Sequence, residues 1–248
     1  MKKLAALLLS TLLATGVFAE KVAIVSKANG EVLLRNADAQ TFNQPAVKGT
    51  ILEINDRVRV NEGFAVALLL DDQSQFKLRE NTEVAFTMVK DLSGTSYHLR
   101  LDYGQALTNF TPVPGTSFNI HTPTSVVSVK GTSFWTVSDP DAGDNVIVLE
   151  GEVSVMNSLT GTTSTATAGQ SIRSTPDGNV QSAPTEAGSI PEDPDPDDSF
   201  GAITPTPDAP DDASGQAEPV EPQDEESTKR NRGLILGLMM VLLVAALL

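Results

Sequence analysis

Phe118-Asn-Ile-His-Thr-Pro123, Val126-Val-Ser-Val-Lys-Gly-Thr-Ser-Phe134 and Val146-Ile-Val-Leu-Glu-Gly-Glu-Val-Ser-Val155 decide the class of this chain. Each is a short β-branched run closed by Gly or Pro, which is strand chemistry broken by turn chemistry. Outward from it, strand patterns recur every eight to twelve residues: 22–26, 31–35, 57–60, 65–70, 76–78, 84–89, 97–101, 105–109, 117–120, 126–129, 132–137, 146–149 and 153–156. Phe76-Lys-Leu-Arg79 and His98-Leu-Arg-Leu101 alternate apolar with polar, so one face of those strands is wet. Val66 to Leu70 is continuously apolar and reads as buried on both faces. No stretch away from the termini holds a 3.6-residue period, and the pattern predicts an all-β fold.

Gly30-Glu-Val32, Gly104-Gln-Ala106 and Gly151-Glu-Val153 repeat one wording, Gly, then a long polar residue, then an apolar one, and Gly169-Gln170 echoes it. Glycine there permits positive φ at a corner. The repeat favours a wound arrangement of many short strands over a plain sandwich.

The ends carry different chemistry. Met1-Lys-Lys3, the apolar run 4–13 and Val17-Phe-Ala19 read as a secretory leader cleaved after Ala19. Residues 233–248 are sixteen apolar residues behind Lys229, Arg230 and Arg232. As a helix they would span about 24 Å, enough for a single membrane tail if flanking side chains snorkel. Those basic residues favour the cytoplasmic side. On an exported chain, either the short tail overrides that preference or it is a sorting signal removed after export. Gly233 and Gly237 have the spacing of a packing motif for a weak homodimer of tails.

The net charge of −15 is concentrated. Residues 20–175 hold 17 acidic and 12 basic side chains, whereas 176–228 hold 15 acidic, no basic, and ten of the fifteen prolines. Such a segment buries too little apolar surface to offset its ordering entropy. The expected organisation is therefore a leader at 1–19, a β domain at 20–175, a disordered acidic linker at 176–228, and a basic stop with a membrane tail at 229–248. An acidic chain offers no footing for nucleic acid. With no cysteine, disulfide and thiolate chemistry are excluded.

From about Gly30 to Val155 the chain resembles the FecR domain, the periplasmic module of bacterial iron-signalling regulators. The likeness rests on Gly49-Thr50, Asn55-Asp-Arg-Val58, 65–72 with Phe76-Lys-Leu-Arg-Glu-Asn-Thr-Glu83, Lys130-Gly-Thr-Ser-Phe134, and Val148-Leu-Glu-Gly-Glu-Val153. It implies a twisted, β-helix-like (solenoid) all-β module that binds a partner and relays occupancy. Gly131, Thr132, Phe134 and Gly151 are its structural signature. Regulators of that family place a sigma-binding segment and a membrane helix before the domain. Here a leader precedes it and the anchor follows, which points away from sigma-factor control by this polypeptide itself.

His98 and His121 are the two histidines, and no partner set for a metal site or a Ser-His-Asp arrangement accompanies them. Residues 139–145 are oxygen-rich but lack calcium-loop spacing and read as a hairpin turn. Candidate binding residues are His121 before Thr122-Pro123, Lys130, which could meet an acidic partner, and Trp135. If Phe134 points inward, alternation turns Trp135 outward, where an exposed indole suits a protein or sugar contact. No cofactor and no enzymatic activity are expected. The expected role is a binding or scaffold module tethered outside the cytoplasm, recognising an envelope protein or polysaccharide through a strand edge or the Trp135 face. The alternative is a periplasmic sensor component acting through a partner protein.

Overall fold

A computed structural model of the chain describes residues 20–71, 74–92 and 94–197. The expected leader, the acidic stretch beyond 197 and the apolar tail with Gly233 and Gly237 lie outside the described residues.

The regular elements of the described residues are all strands: β1 (Lys21–Arg35), β2 (Gln44–Pro45), β3 (Ile51–Glu53), β4 (Arg57–Leu69) and β5 (Gln75–Arg79). They continue with β6 (Thr82–Asp91), β7 (Gly94–Phe110), β8 (Thr116–His121), β9 (Ser125–Val129) and β10 (Thr132–Asp139). The last are β11 (Gly143–Glu150), β12 (Glu152–Asn157), β13 (Thr163–Thr167), β14 (Gln170–Ser174) and β15 (Val180–Pro184). The class is all-β, as the alternation predicts.

Three long strands fold this sheet onto itself. The first part of β7 pairs with β6 and β8, and its second part with β5 and β10. β4 pairs with β6 before Gly63 and with β5 after it, and β1 follows β4 on both sides of Gly30. Two leaves result. One runs β13-β12-β9-β8 through the first part of β7 to β6 and β4, and the other runs β15-β14-β11-β10 through the second part of β7 to β5 and β4.

Phe76 of the second leaf touches Phe86 and Phe118 of the first, with ring centroids 5.4 and 5.1 Å apart. Phe134, Val146, Val148, Val153, Val155 and Ile172 lie in the same buried cluster.

Among the described residues, each passage between leaves carries a residue at positive φ. Gly30, Gly104, Gly151 and Gly169 of the repeat sit at 82°, 104°, 81° and 82°. Asn55, at 69°, and Asn81, at 55°, make two further passages. The pairing at Gly30 and Gly63 shows why no side chain fits: a Cβ on Gly30 would lie 2.3 Å from the Glu62 carbonyl oxygen, and one on Gly63 2.1 Å from that of Asn29.

Of the fifteen strand pairings among the described residues, only β7–β8 is parallel. The chain thus winds between leaves as hairpins, whereas stacked coils of a solenoid would pair in parallel. The ordered chain also runs past the boundary expected at 175. β15 pairs with β14 from Val180↔Ser174 to Pro184↔Gln170, and the segment to Asp197 stays on the fold. Composition averaged over 176–228 hides these residues, because the acids that argue for disorder here find lysines (below).

Candidate functional site

The outer face of the first leaf is polar across six strands. Thr87, His98, Asn119, Ser128, Ser154 and Thr165 stand in one cross-strand row through β6, β7, β8, β9, β12 and β13. The next row contains Ala85, Arg100, His121, Val126, Met156 and Thr163. Their sequence neighbours Leu99, Ile120, Val127 and Val155 fill the core, so alternation turns these rows outward, with Ala85 at the end of the second row buried.

Where the rows meet, His98 Nδ1 and His121 Nε2 lie 3.0 Å apart, one ring donating to the other. The rings are half-buried and their centroids are 5.1 Å apart. Burial lowers both imidazole pKa values, helped at His98 by the charge of His121 and at His121 by that of Arg100. The lowered values favour the neutral rings, which present paired nitrogen donors and acceptors. With Thr87, Arg100, Thr122 and Pro123 they line a groove of about 450 Å³. On the other side of β8 and β9, Lys130, Glu152, Asn119, Ser128, Ser154 and Pro112 line a second concavity of about 610 Å³.

An ion-pair network holds the groove's far wall. Arg100 Nε donates to Asp102 (2.7 Å), Arg57 bonds both Asp102 and Glu83, and Arg59 donates to Glu83 at 2.7 and 3.0 Å. Phe42 packs 4.0 Å from the Arg59 guanidinium. Behind the groove, Thr122 Oγ1 donates to buried Asp144 (2.6 Å), tying the β8–β9 turn to β11. Burial raises the Asp144 pKa, and the hydrogen bond from Thr122 partly offsets the shift.

Of the residues singled out in the sequence, His121 and Lys130 share this face. Trp135 does not. It lies on the other leaf and is 1% exposed, packed with Leu107, Ile147 and Leu149. The expected outward indole is therefore corrected. Alternation does place it opposite Phe134, but that outer face is covered. Gly131 and Gly151 turn the chain between leaves at φ 69° and 81°, and Thr132 and Phe134 are buried. Asp139 Oδ1 accepts from the Asp141 and Ala142 amides at 2.8 and 2.9 Å, which closes the β10–β11 hairpin. Among the described residues, no group of three or more His, Asp or Glu could hold a metal ion.

Sequence reasoning missed Arg100 and the pairing of the histidines. Alternation in His98-Leu-Arg-Leu101 marks both polar side chains as outward. The β7–β8 register that brings His121 beside them leaves no local signal.

Residues 56–154 match the family model described as FecR protein. No curated protein matches. Among solved structures, two crystal structures of a candidate anti-sigma factor from Parabacteroides distasonis, at 1.65 and 2.50 Å resolution, are similar. Each is 18% identical with a TM-score of 0.44, covering 53% of this chain. The chain spans 60% of the length of those structures.

Proposed function

Starting from the FecR domain at residues 56–154, we propose that this chain is a non-enzymatic recognition module of a FecR-type signalling system. It docks a partner protein of the cell envelope on the polar outer face of the first leaf. The observation that carries this reading is the cluster of His98, His121 and Arg100, where two rows meet, beside the Lys130 concavity. Neutral imidazoles, hydroxyls and one guanidinium make a surface of fixed hydrogen-bond donors and acceptors with an apolar core directly behind it. Such a surface recognises by pattern at modest desolvation cost. The leader-like residues 1–19 and the apolar 233–248 support an exported chain held at the outer side of a bacterial membrane.

The test is capture from envelope extract with the full-length chain, compared with Arg100→Ala and Lys130→Glu variants. Recovery of one partner by the wild type and its loss with either variant supports the reading. Equal recovery by all three overturns it. Capture of a polysaccharide by the same face would keep the site and change the partner. The family match favours one second reading, a periplasmic sensor whose output is supplied by a separate membrane protein. A co-captured protein with a cytoplasmic domain distinguishes it.

A further inference from the structure

The second leaf has an outer face of its own. Val66, Lys77, Leu107, Trp135 and Ile147 follow one another as cross-strand partners through β4, β5, β7, β10 and β11. On a face turned away from the core such residues would be wet, yet Val66, Lys77 and Ile147 are fully buried. The chain after β15 meets this face at both ends of its path. Glu186 and Ser189 line a cleft with Asn145, Ser171 and Arg173 of β11 and β14. Further on, Lys77 Nζ donates to both Asp193 oxygens at 3.0 and 2.8 Å and to the Asp195 carbonyl at 2.7 Å. Lys27 Nζ donates to Asp195 Oδ2 at 2.8 Å.

The path between these anchors is short. From β15 to β5 there are five strand spacings, about 24 Å, and nine residues reach at most about 30 Å. The segment therefore crosses β14, β11, β10 and β7 almost directly, over Ile147, Trp135 and Leu107. Pro191, Pro194 and Pro196 keep it extended and deprive it of ladder donors, so it lies on the sheet as a strap without adding a strand.

We propose that this face is a docking groove for an extended, acidic, proline-spaced segment of a partner protein, and that residues 186–197 are its intrachain occupant, displaced when the partner binds. Lys77 and Lys27 read carboxylates two residues apart, and Trp135 supplies the apolar floor. This groove is on the opposite leaf from the histidine pair, so its test is independent of that of the first face.

Trp135 is the single tryptophan of the chain, and its emission reports the cover directly. In full-length protein, the Asp193→Asn/Asp195→Asn double variant should shift that emission to the red and raise its quenching by acrylamide. The β-type circular dichroism should be unchanged. A labelled synthetic peptide of residues 186–198 should bind this variant at least about tenfold more tightly than wild type, because the resident strap no longer competes. Binding should restore the blue emission, and the same peptide with Asn at both positions should bind weakly.

Unchanged quenching, or equal peptide affinity for variant and wild type, overturns the proposal. So does a wild-type chain that sediments as a dimer and turns monomeric in the variant, which would make a second copy's strap the occupant. If the variant does not fold, hydrogen exchange on wild type decides. Strap amides that exchange far faster than those of β10 and β11 support an independently opening strap. Equal protection overturns it.

Discussion

At Gly30 and Gly63 strands β1 and β4 cross from leaf to leaf side by side, and the backbone of each occupies the space a Cβ on the other would need. Gly63→Ala forces a methyl against the Asn29 carbonyl at positive φ. It should cost about 2–4 kcal/mol, read as a lower urea midpoint at constant m. Gly49→Ala is the control. It shares positive φ but has nothing within 4 Å, and should cost about 1 kcal/mol. The histidine pair makes a pH prediction. Folding lowers both pKa values, so the unfolded chain binds more protons in the window below about 6.5. Stability is full above that window and falls as pH drops through the lowered values. His98→Asn/His121→Gln keeps hydrogen-bonding groups near the same positions without the titration and should flatten the fall in melting temperature between pH 7 and 5. Asp144 works the other way at lower pH, since burial raises its pKa and protonation relieves a buried charge. The rings were visible as residues in the sequence. Their meeting was not, because two separate strands supply them through the parallel pairing of β7 with β8.

Among the elements, the sequence marks strands better than it marks their continuity. The patterns at 22–26 and 31–35 are one strand, β1, bent at Gly30. Those at 57–60 and 65–70 are β4, and those at 97–101 and 105–109 are β7. Glycine was legible as a corner, but a corner inside a strand and a turn between strands share the same local chemistry. Hydrogen-bond register separates them, and register is a property of the partner. β2, β3 and β13 to β15 escaped. β2, the Thr-rich β13 and β15 are mostly exposed and leave no apolar alternation. β3 is three residues long around one buried side chain, Leu52, and β14 buries a single large apolar one, Ile172. The β12–β13 turn depends on one side chain. Buried Asn157 donates to Ser174 Oγ and the Thr175 carbonyl, both at 3.0 Å, and accepts from the Leu159 and Thr160 amides at 2.9 and 3.2 Å. Asn157→Ala orphans these groups and should cost about 2–3 kcal/mol in chemical denaturation. Asn157→Asp keeps the acceptor and loses the two donated bonds, so its stability should fall short of wild type.

For the whole molecule, stability depends on chain that composition assigns to a spacer. Residues 20–175 carry a net negative charge, and an acidic strap would be repelled on average. It docks because Lys27 and Lys77 present local positive charge, and because the outer face of the second leaf is apolar. A fragment ending at 184 keeps all fifteen strands and loses the cover. If about 100 Å² of apolar surface around Leu107, Trp135 and Ile147 becomes wet, the loss is about 2–3 kcal/mol. The fragment 20–197 should therefore melt several degrees above 20–184, with Trp135 emission blue in the first and red in the second. A fragment ending at 175 also removes β15 and opens the outer edge of β14, and should melt lowest of the three. Equal melting temperatures for 20–197 and 20–184 would mean that the strap contributes no net stability. In that case the burial of Trp135 would rest on its own leaf alone, and the ion pairs of Lys27 and Lys77 would only offset the desolvation of their charges.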